Sequence, residues 1–373
     1  MIFSLEVLRA KHGDSLLLHY GDADDPKLIV IDGGPRGVCK DALLPRLEEL
    51  RDERGGELTI ENLMVSHVDQ DHVRGVLDFA QTLDEDDALR AGFKVKTLWL
   101  DSFEDTVGDG SPIIAGVGAA PAGAEAGELA AEIASVGEGR SLRNLARKFG
   151  WPLNKGFDEL VMAPDDAGVE IDLGPLRLTV VGPRAAELEE LRKEWAKEVE
   201  KLVKKEKSTA KVAEYLDDSV YNLSSIVCLA ELGGKRMLLT GDARGDKILL
   251  GLEKAGLLPK GKPLEVDVLK MPHHGSSRNL EPEFFERIKA REMVISANGK
   301  DENPDLTTLK MISEVRKDDD FTLYLTYADF EEGIGPGIHD FFEQEAKDGR
   351  KYKVVFRPED DLSMRLDLLD APG

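Results

Sequence analysis

His67-Val68-Asp69-Gln70-Asp71-His72 packs two imidazoles and two carboxylates into six residues. The apolar run Leu63–Ser66, read as a buried strand, leads into it, and Val73–Leu83 follows with the apolar spacing of a helix. Four such side chains cannot share one face of a strand or a helix, but on a strand-to-helix turn they can converge. That geometry lets His67 and Asp69 address one cation while Asp71 and His72 address another. The bland alternative is a surface turn whose aspartates are solvated, one of them capping the helix.

Outward from this stretch, the same logic finds two more segments. The chain has seven histidines, and four of them fall in two short clusters, each just after an apolar strand. The second cluster is Pro272-His273-His274-Gly275-Ser276, after the run Val266–Met271. Adjacent histidines diverge, so one serves as ligand and the other faces substrate or a supporting acceptor; His274 is favoured as the ligand. Thr240-Gly241-Asp242 follows the apolar Met237–Leu239, and the glycine permits a tight turn that suits a bridging carboxylate. A helix-capping role for Asp242 is the alternative. His12, His19 and His339 lack partners in sequence and read as core or surface histidines, and Ser15 is not read as a nucleophile.

Around these segments the pattern is α/β. Phe3–Val7, Ser15–Tyr20 and Leu28–Ile31 read as antiparallel strands, and 42–54 as a helix with Pro45 in its first turn. Val95–Asp101 reads as a further strand. From 102 to 170 the character changes: 107–126 is rich in Gly, Ala and Pro, and Ser141–Gly150 reads as a short basic helix. This block is taken as an insertion over the site mouth within a single domain spanning 1–373. Beyond it come a strand at Leu176–Val181 and a charged helix at 185–215, whose Lys201, Lys204, Lys205, Lys207 and Lys211 read as a solvated face. A hairpin turning at Gly233-Gly234 follows, then helices at 246–255, 282–290 and 306–316 and strands at 293–297, 322–327 and 352–356. The expected architecture is two sheets face to face with helices outside.

Acidic residues outnumber basic ones 73 to 49, a net charge of −24. Such a surface repels phosphate backbones on average and counts against nucleic-acid binding by bulk electrostatics, so a nucleic-acid substrate would need a local basic path or metal ions. It does not exclude a metallonuclease, because bound divalent cations invert the local field. Cys39 and Cys228 form neither a disulfide framework nor a zinc knuckle and read as buried free thiols. The N-terminus lacks the pattern of a secretory signal, and no stretch approaches the roughly 20 apolar residues that span a bilayer. The expectation is a soluble, cytoplasmic protein with no membrane partner.

Taken in order, these segments resemble the metallo-β-lactamase superfamily, and within it the soluble nuclease-like domain of ComEC-type DNA-uptake proteins. The resemblance runs from about His12 to Arg316 and leaves 102–170 unmatched. Gly13-Asp14-Ser15 is similar to the family's opening turn, Asp32-Gly33-Gly34 to its first aspartate motif, and His67 to Gly75 to its metal loop, with Asp69 where a second histidine is usual. Asn222-Leu-Ser-Ser-Ile226, Leu239-Thr-Gly-Asp242 and Lys270-Met-Pro-His-His-Gly-Ser276 match further motifs. Two departures stand out. No histidine precedes Asp242 in the family's third-motif place, which leaves Asp217, Asp218, Asn222 or water to complete one ion. Asn303-Pro304 stands where His-Pro is common.

The resemblance implies a four-layer αββα sandwich with an inserted segment, and a metal-dependent hydrolase. One or two divalent ions are expected, Mn²⁺ or Zn²⁺ with Mg²⁺ as a third candidate, on His67, Asp69, Asp71, His72, Asp242 and His274. Replacing imidazole by the Asp69 carboxylate hardens the site toward the first and last of these ions. Asp71, Asp242 and His273 are the catalytic candidates; Asp32, Asn222, Ser276 and Asn303 are supporting or substrate-facing. Asp32 either orients the metal loop, as the resemblance implies, or simply forms its turn. The expected substrate is a phosphodiester of DNA or another nucleic acid, attacked by cation-activated water. The alternatives are hydrolysis of a small ester, thioester, lactone or β-lactam, and a non-catalytic metal-bearing protein held by a protein partner.

Overall fold

The structure, a computed structural model, describes residues 1–102, 127–189, 193, 222–328, 330 and 335–369. Strands β1 (Ile2–Leu8), β2 (Leu16–Gly21) and β3 (Pro26–Ile31) form an antiparallel meander. β4 (Leu58–Met64), β5 (Phe93–Val95) and β6 (Leu98–Trp99) extend it in parallel. The second sheet starts antiparallel, with β7 (Val169–Leu173), β8 (Leu176–Gly182), β9 (Val227–Leu232) and β10 (Lys235–Leu239). It continues in parallel through β11 (Leu264–Lys270), β12 (Ile288–Ile295), β13 (Thr322–Leu325) and β14 (Lys353–Phe356). The last strand, β15 (Ser363–Leu369), returns to the first sheet and pairs antiparallel with β1. Strand order is β15-β1-β2-β3-β4-β5, with β6 also on β4, and β14 through β7 in unbroken descending order.

Period-two alternation assigns side chains to layers. Phe3, Leu5 and Val7 of β1 join Leu18, Ile29 and Ile31 between the sheets, where they meet Val180, Cys228, Leu239, Val268 and Val294. Leu8, Leu17, Leu28 and Val30 face outward, against Leu47 of α1 (Leu44–Glu53) and Val76 and Phe79 of α2 (Gln70–Glu85). A short α3 (Asp87–Ala91) follows, and Leu142 of α4 (Gly127–Phe149) closes that core. On the far side, Leu229, Leu238, Leu269 and Met293 meet Ile248 of α5 (Gly245–Lys254) and Phe284 of α6 (Pro282–Arg287). Leu309 of α7 (Leu306–Val315) and Ile338 of α8 (Gly335–Lys347) complete this layer. The expected four-layer αββα sandwich is what forms. The Gly233-Gly234 hairpin also forms, with both glycines at positive φ (59° and 81°), as a two-residue primed turn requires.

Several local expectations are corrected. The strand expected over 95–101 is two short pieces, β5 and β6, that both pair with β4. The short basic helix expected at 141–150 is the end of the 23-residue α4, whose Leu142 and Ala146 are buried against the α2 side. The helix expected to run to Ala290 stops at Arg287, because β12 starts at Ile288, opposite Leu264. β7, α8 and β15 had no sequence expectation at all. The Gly/Ala/Pro-rich 107–126 and the lysines of 201–211 lie outside the described residues; of the charged helix, a helical start over 185–189 is seen.

One contact fixes how α2 meets the turn after β3. Gly33 N–H donates to the His72 carbonyl at 2.9 Å and Gly75 N–H to the Gly34 carbonyl at 2.8 Å. A Cβ on Gly75 would lie 1.8 Å from the Gly33 oxygen, so no side chain fits. Gly75→Ala should therefore lower unfolding free energy by about 3 kcal/mol, the upper part of the overpacking range. Denaturant titration checks this against Gly137→Ala, where an added Cβ meets nothing within 4 Å. A Gly75→Ala midpoint equal to wild type would refute the close packing.

Candidate metal centre

Five strand ends deliver the polar side chains to one rim of the sandwich. Asp14 follows β1, Asp32 follows β3, the 67–72 turn follows β4, Asp242 follows β10 and the His273-His274 pair follows β11. The 67–72 turn is not a solvated cap. Asp69 is the residue before α2, yet its carboxylate makes no capping bond and lies 3.3 Å from His67 Nε2 instead. Nor does Asp242 cap α5: Arg244 holds that position.

Second partners orient the two central imidazoles. His72 Nδ1 donates to Asp32 Oδ2 at 2.9 Å, and His274 Nδ1 donates to the Ser296 carbonyl at 2.9 Å. Each ring therefore turns an Nε2 lone pair inward. Asp32 is held in turn by the Ser66 N–H and hydroxyl, both at 2.7 Å, and has left-handed φ (59°), so it does more than make a turn. Asp32→Asn should weaken divalent-ion affinity about 10- to 100-fold, the usual cost of losing such a partner. Titration with Mn²⁺ or Zn²⁺ reads this directly, and unchanged affinity would make Asp32 a turn residue only.

The inward atoms form a compact shell. His72 Nε2 and His274 Nε2 are 3.3 Å apart, and each lies 3.3 Å from Asp242 Oδ2. Asp71 Oδ2 is 3.3 Å from His274 Nε2 and 3.7 Å from His72 Nε2. Ligand atoms on a tetrahedral shell with bonds of about 2.05 Å stand roughly 3.3 Å apart, so His72 Nε2, His274 Nε2 and Asp242 Oδ2 have the spacing one cation requires. Asp71 Oδ2 lies at the same distance from the two nitrogens within a few tenths of an ångström. Asp14, His72, Asp242 and His274 also form a buried group whose ligand atoms all lie within 4.8 Å of one another. Asp14 sits on the Nδ1 side of both rings, 3.6 Å from His274 Nδ1 and 4.0 Å from His72 Nδ1, and pairs with the Lys270 ammonium. Asp71 is thus the better fourth member, with Asp14 behind the shell.

Electrostatics agree with that spacing. Burial opposes charge on His72, yet Asp242, Asp71 and Asp32 hold its pKa well above the ordinary value. Burial likewise opposes charge on His274, and Asp242 and Asp14 overcome it, raising the pKa to about 10. For Asp242 burial acts upward, but His274, His72 and His273 take the carboxyl well below its usual range. Carboxylates that hold protons on two imidazoles this firmly are equally able to hold a divalent cation there. His67 Nε2 is buried without a hydrogen-bond partner beside Asp69, and Asp242 Oδ1 likewise, so both keep an unused lone pair or proton at the cluster. The residues fit a metal ion.

The other expected residues divide. His67 packs on His72, ring centroids 4.2 Å apart, and with Asp69 forms a sparser neighbouring pair. His273 and His274 diverge, their rings 6.2 Å apart and inclined at 70°, because both have left-handed φ (46° and 53°). Such backbone costs of order 1–3 kcal/mol per residue and clusters at functional sites. Asn279 donates to His273 Nδ1 at 2.7 Å, and Asn222 approaches the same atom at 3.5 Å. The His273 proton is therefore on Nε2, which suits it to donate rather than ligate. Ser276 is buried, its N–H bonded to the His273 carbonyl at 2.8 Å. Asn303 makes no side-chain bond to the histidines among the described residues; its loop reaches them through the Asp305 N–H, bonded to the Gly275 carbonyl at 3.2 Å. Asp217 and Asp218 lie outside the described residues.

Sequence reasoning missed Asp14 and Lys270 as members of the cluster, and Asn279 as the partner of His273. Of the histidines set aside, His19 is buried and donates to Glu6 Oε2 at 2.9 Å. His339 bonds the Ala328 carbonyl at 2.8 Å, and His12 Nε2 accepts from Lys300 at 3.1 Å.

Two mixed sheets face each other between outer helices. The architecture is a four-layer αββα sandwich with its polar cluster on one rim. No protein-family model matches the chain. Over 121 residues, 30% of its length, it is 30% identical to ComE operon protein 3 of Bacillus subtilis (strain 168), of which it spans about 14%. CmlA, a diiron beta-hydroxylase from Streptomyces venezuelae, aligns over 97% of this chain and 54% of its own, with 13% identity and a TM-score of 0.38. A mutant form of the CmlA hydroxylase aligns with the same coverage and score, at 14% identity. A likeness that low carries no functional argument.

Proposed function

We propose that the chain is a metal-dependent hydrolase acting on a phosphodiester bond of DNA or another nucleic acid. The observation that carries the metal-dependent part is the triad of His72 Nε2, His274 Nε2 and Asp242 Oδ2 at mutual distances of 3.3 Å, with Asp71 Oδ2 at 3.3 and 3.7 Å from the two imidazole nitrogens. The nucleic-acid part rests on the resemblance of the motifs to the ComEC-type nuclease-like domain. When bound, a divalent ion supplies Lewis acidity and brings water to a pKa of roughly 7.

The chain's own groups do the rest. His72, His274, Asp242 and Asp71 would hold the ion, and His67 with Asp69 would offer a second, weaker position. The Asp71 side chain is 24% exposed. Burial opposes its charge, yet His72 and His274 hold its carboxyl below the usual range, and the oxygen not turned to them would be placed to relay a proton to solvent. Asp242, shut inside, keeps its charge and fixes both imidazoles. His273 is 21% exposed at the lip, and its Nε2 stands 3.9 Å from Asp242 Oδ2, at the edge of the shell, where its N–H could donate to a substrate oxygen.

The net charge of −24 favours a second reading, in which the same groups open a small uncharged ester, thioester or lactone. One panel separates them. Protein stripped by chelator and reloaded with Mn²⁺, Zn²⁺ or Mg²⁺ is tested on plasmid and single-stranded DNA and on chromogenic esters and lactones. Metal-dependent DNA cleavage that disappears in Asp71→Ala is the expected result. DNA left intact, with wild type indistinguishable from Asp71→Ala, would overturn the nuclease reading. Fewer than about one ion per chain would overturn the metal-dependent one.

A further inference from the structure

Arg9, Lys11, Val38, Asp41 and Tyr327 line a cavity of about 340 Å³. Its walls are the segment after β1, the turn leading to α1 and the segment after β13, on the rim that carries the metal cluster. Lys11 precedes Asp14 by three residues, so their Cα atoms lie at most about 11 Å apart. The intervening loop is pinned to the centre: Asp14 N–H donates to the Asp71 carbonyl at 3.3 Å, and Ser296 Oγ to the Gly13 carbonyl at 2.7 Å. Lys11 itself has left-handed φ (57°), unfavourable for a side chain with Cβ, and its N–H donates to Tyr327 Oη at 2.8 Å.

The charges around this cavity are unbalanced. Neither Arg9 nor Lys11 makes an ion pair among the described residues; the Lys11 ammonium reaches only the Arg36 carbonyl, at 3.1 Å. The Arg357 guanidinium lies 5.3 Å from the Tyr327 ring centroid, close enough to Arg9 for the two charges to repel. Asp361 and Glu359 act on Arg357, whereas the one carboxylate in the lining beside Arg9 and Lys11 is the exposed Asp41. In a chain of net charge −24, Arg9 and Lys11 in one concavity, neither in an ion pair among the described residues, make a local positive potential that favours an anionic ligand.

We propose that this cavity is a subsite for a backbone phosphate of a single-stranded nucleic acid, next along the strand from the bond to be cleaved. The inference rests on the phosphodiester reading above and supplies the local basic path that so acidic a chain needs. Arg9 and Lys11 contact the phosphate, and Asp41 limits how deeply it enters.

The test is equilibrium binding of a short fluorescein-labelled single-stranded oligonucleotide, in Ca²⁺ and again in EDTA, across a salt series. Arg9→Gln/Lys11→Gln should bind about 10-fold more weakly at low salt, with a log–log salt slope shallower by about 0.7, the value for one phosphate on a single strand. Arg177→Gln/Arg236→Gln removes the same charge from the distant β8–β10 surface and should bind as wild type does. Each single variant at Arg9 or Lys11 should shift affinity the same way by less, which keeps the test sound if the pair misfolds. Equal affinity and slope in wild type and the double variant would overturn the proposal, as would a wild type that binds no oligonucleotide. So would inorganic phosphate binding wild type as tightly as the oligonucleotide, which would mark a free-anion site. If the binding loss appears while no metal supports DNA cleavage, the subsite stands and the hydrolase reading falls. If DNA is cleaved while the double variant binds as wild type does, the hydrolase reading stands and the subsite falls.

Discussion

Asp242→Asn is expected to lose its divalent ion on dialysis and to lose metal-dependent hydrolysis with it. The substitution keeps size and shape, so no cavity forms and the buried position stays filled. What changes is charge at the one oxygen that lies 3.3 Å from both inward imidazole nitrogens. A neutral amide in that place is a poor ligand and no longer offsets a dication. Metal affinity should therefore fall by more than the 10- to 100-fold typical of an outer partner such as Asp32. Elemental analysis after dialysis gives the stoichiometry, and titration gives the affinity. Asp242→Asn should rank below Asp32→Asn in both. An Asp242→Asn protein that binds metal as wild type does would remove Asp242 from the shell and leave the strand-end convergence without chemistry.

Much of this site was legible because its chemistry is dense in sequence. His67 to His72 and His273-His274 each follow an apolar strand, and strand ends in layered α/β proteins open onto one crevice. Asp14 and Lys270 lie within recognisable motifs yet give no sign in sequence of joining the cluster, for a physical reason. Each looks like the unremarkable end of a strand or start of a turn, and their pairing spans the whole sandwich, from β1 to β11. Asn279 is hidden in the same way: an asparagine in a turn reads as turn chemistry until His273 is placed over it. The fold was read in outline for a related reason. Alternation identifies half-buried strands, but β15 is a mostly surface-facing edge strand, and Gly335-Pro336-Gly337 at the start of α8 reads as a helix breaker. At Ile288 the spacing from Phe284 and Phe285 continues a helix, and parallel pairing of β12 with β11 overrides it.

Lys270→Met should destabilise the protein by about 3–5 kcal/mol, the range for removing one partner of a buried ion pair. Lys270 is 1% exposed, its ammonium pairs with Asp14 and stands 3.9 Å from Asp242 Oδ1, and both carboxylates are buried as well. Burial alone would discharge this lysine, yet Asp14 and Asp242 raise its pKa above the ordinary value, so it stays a cation. Methionine fills much the same volume and makes no charge. Asp14 would then keep only the more distant His274 and His72 imidazoles to offset it beside Asp242, and the strain would act on the very loop that carries Gly13 against the Asp71 backbone. Denaturant unfolding of chelated protein measures the loss. A double-mutant cycle separates pairing from packing: Asp14→Asn should recover a good part of the stability lost in Lys270→Met, because it removes the orphaned charge. Losses that simply add would show that Lys270 acts by filling space, and that the charge of this centre is balanced without it.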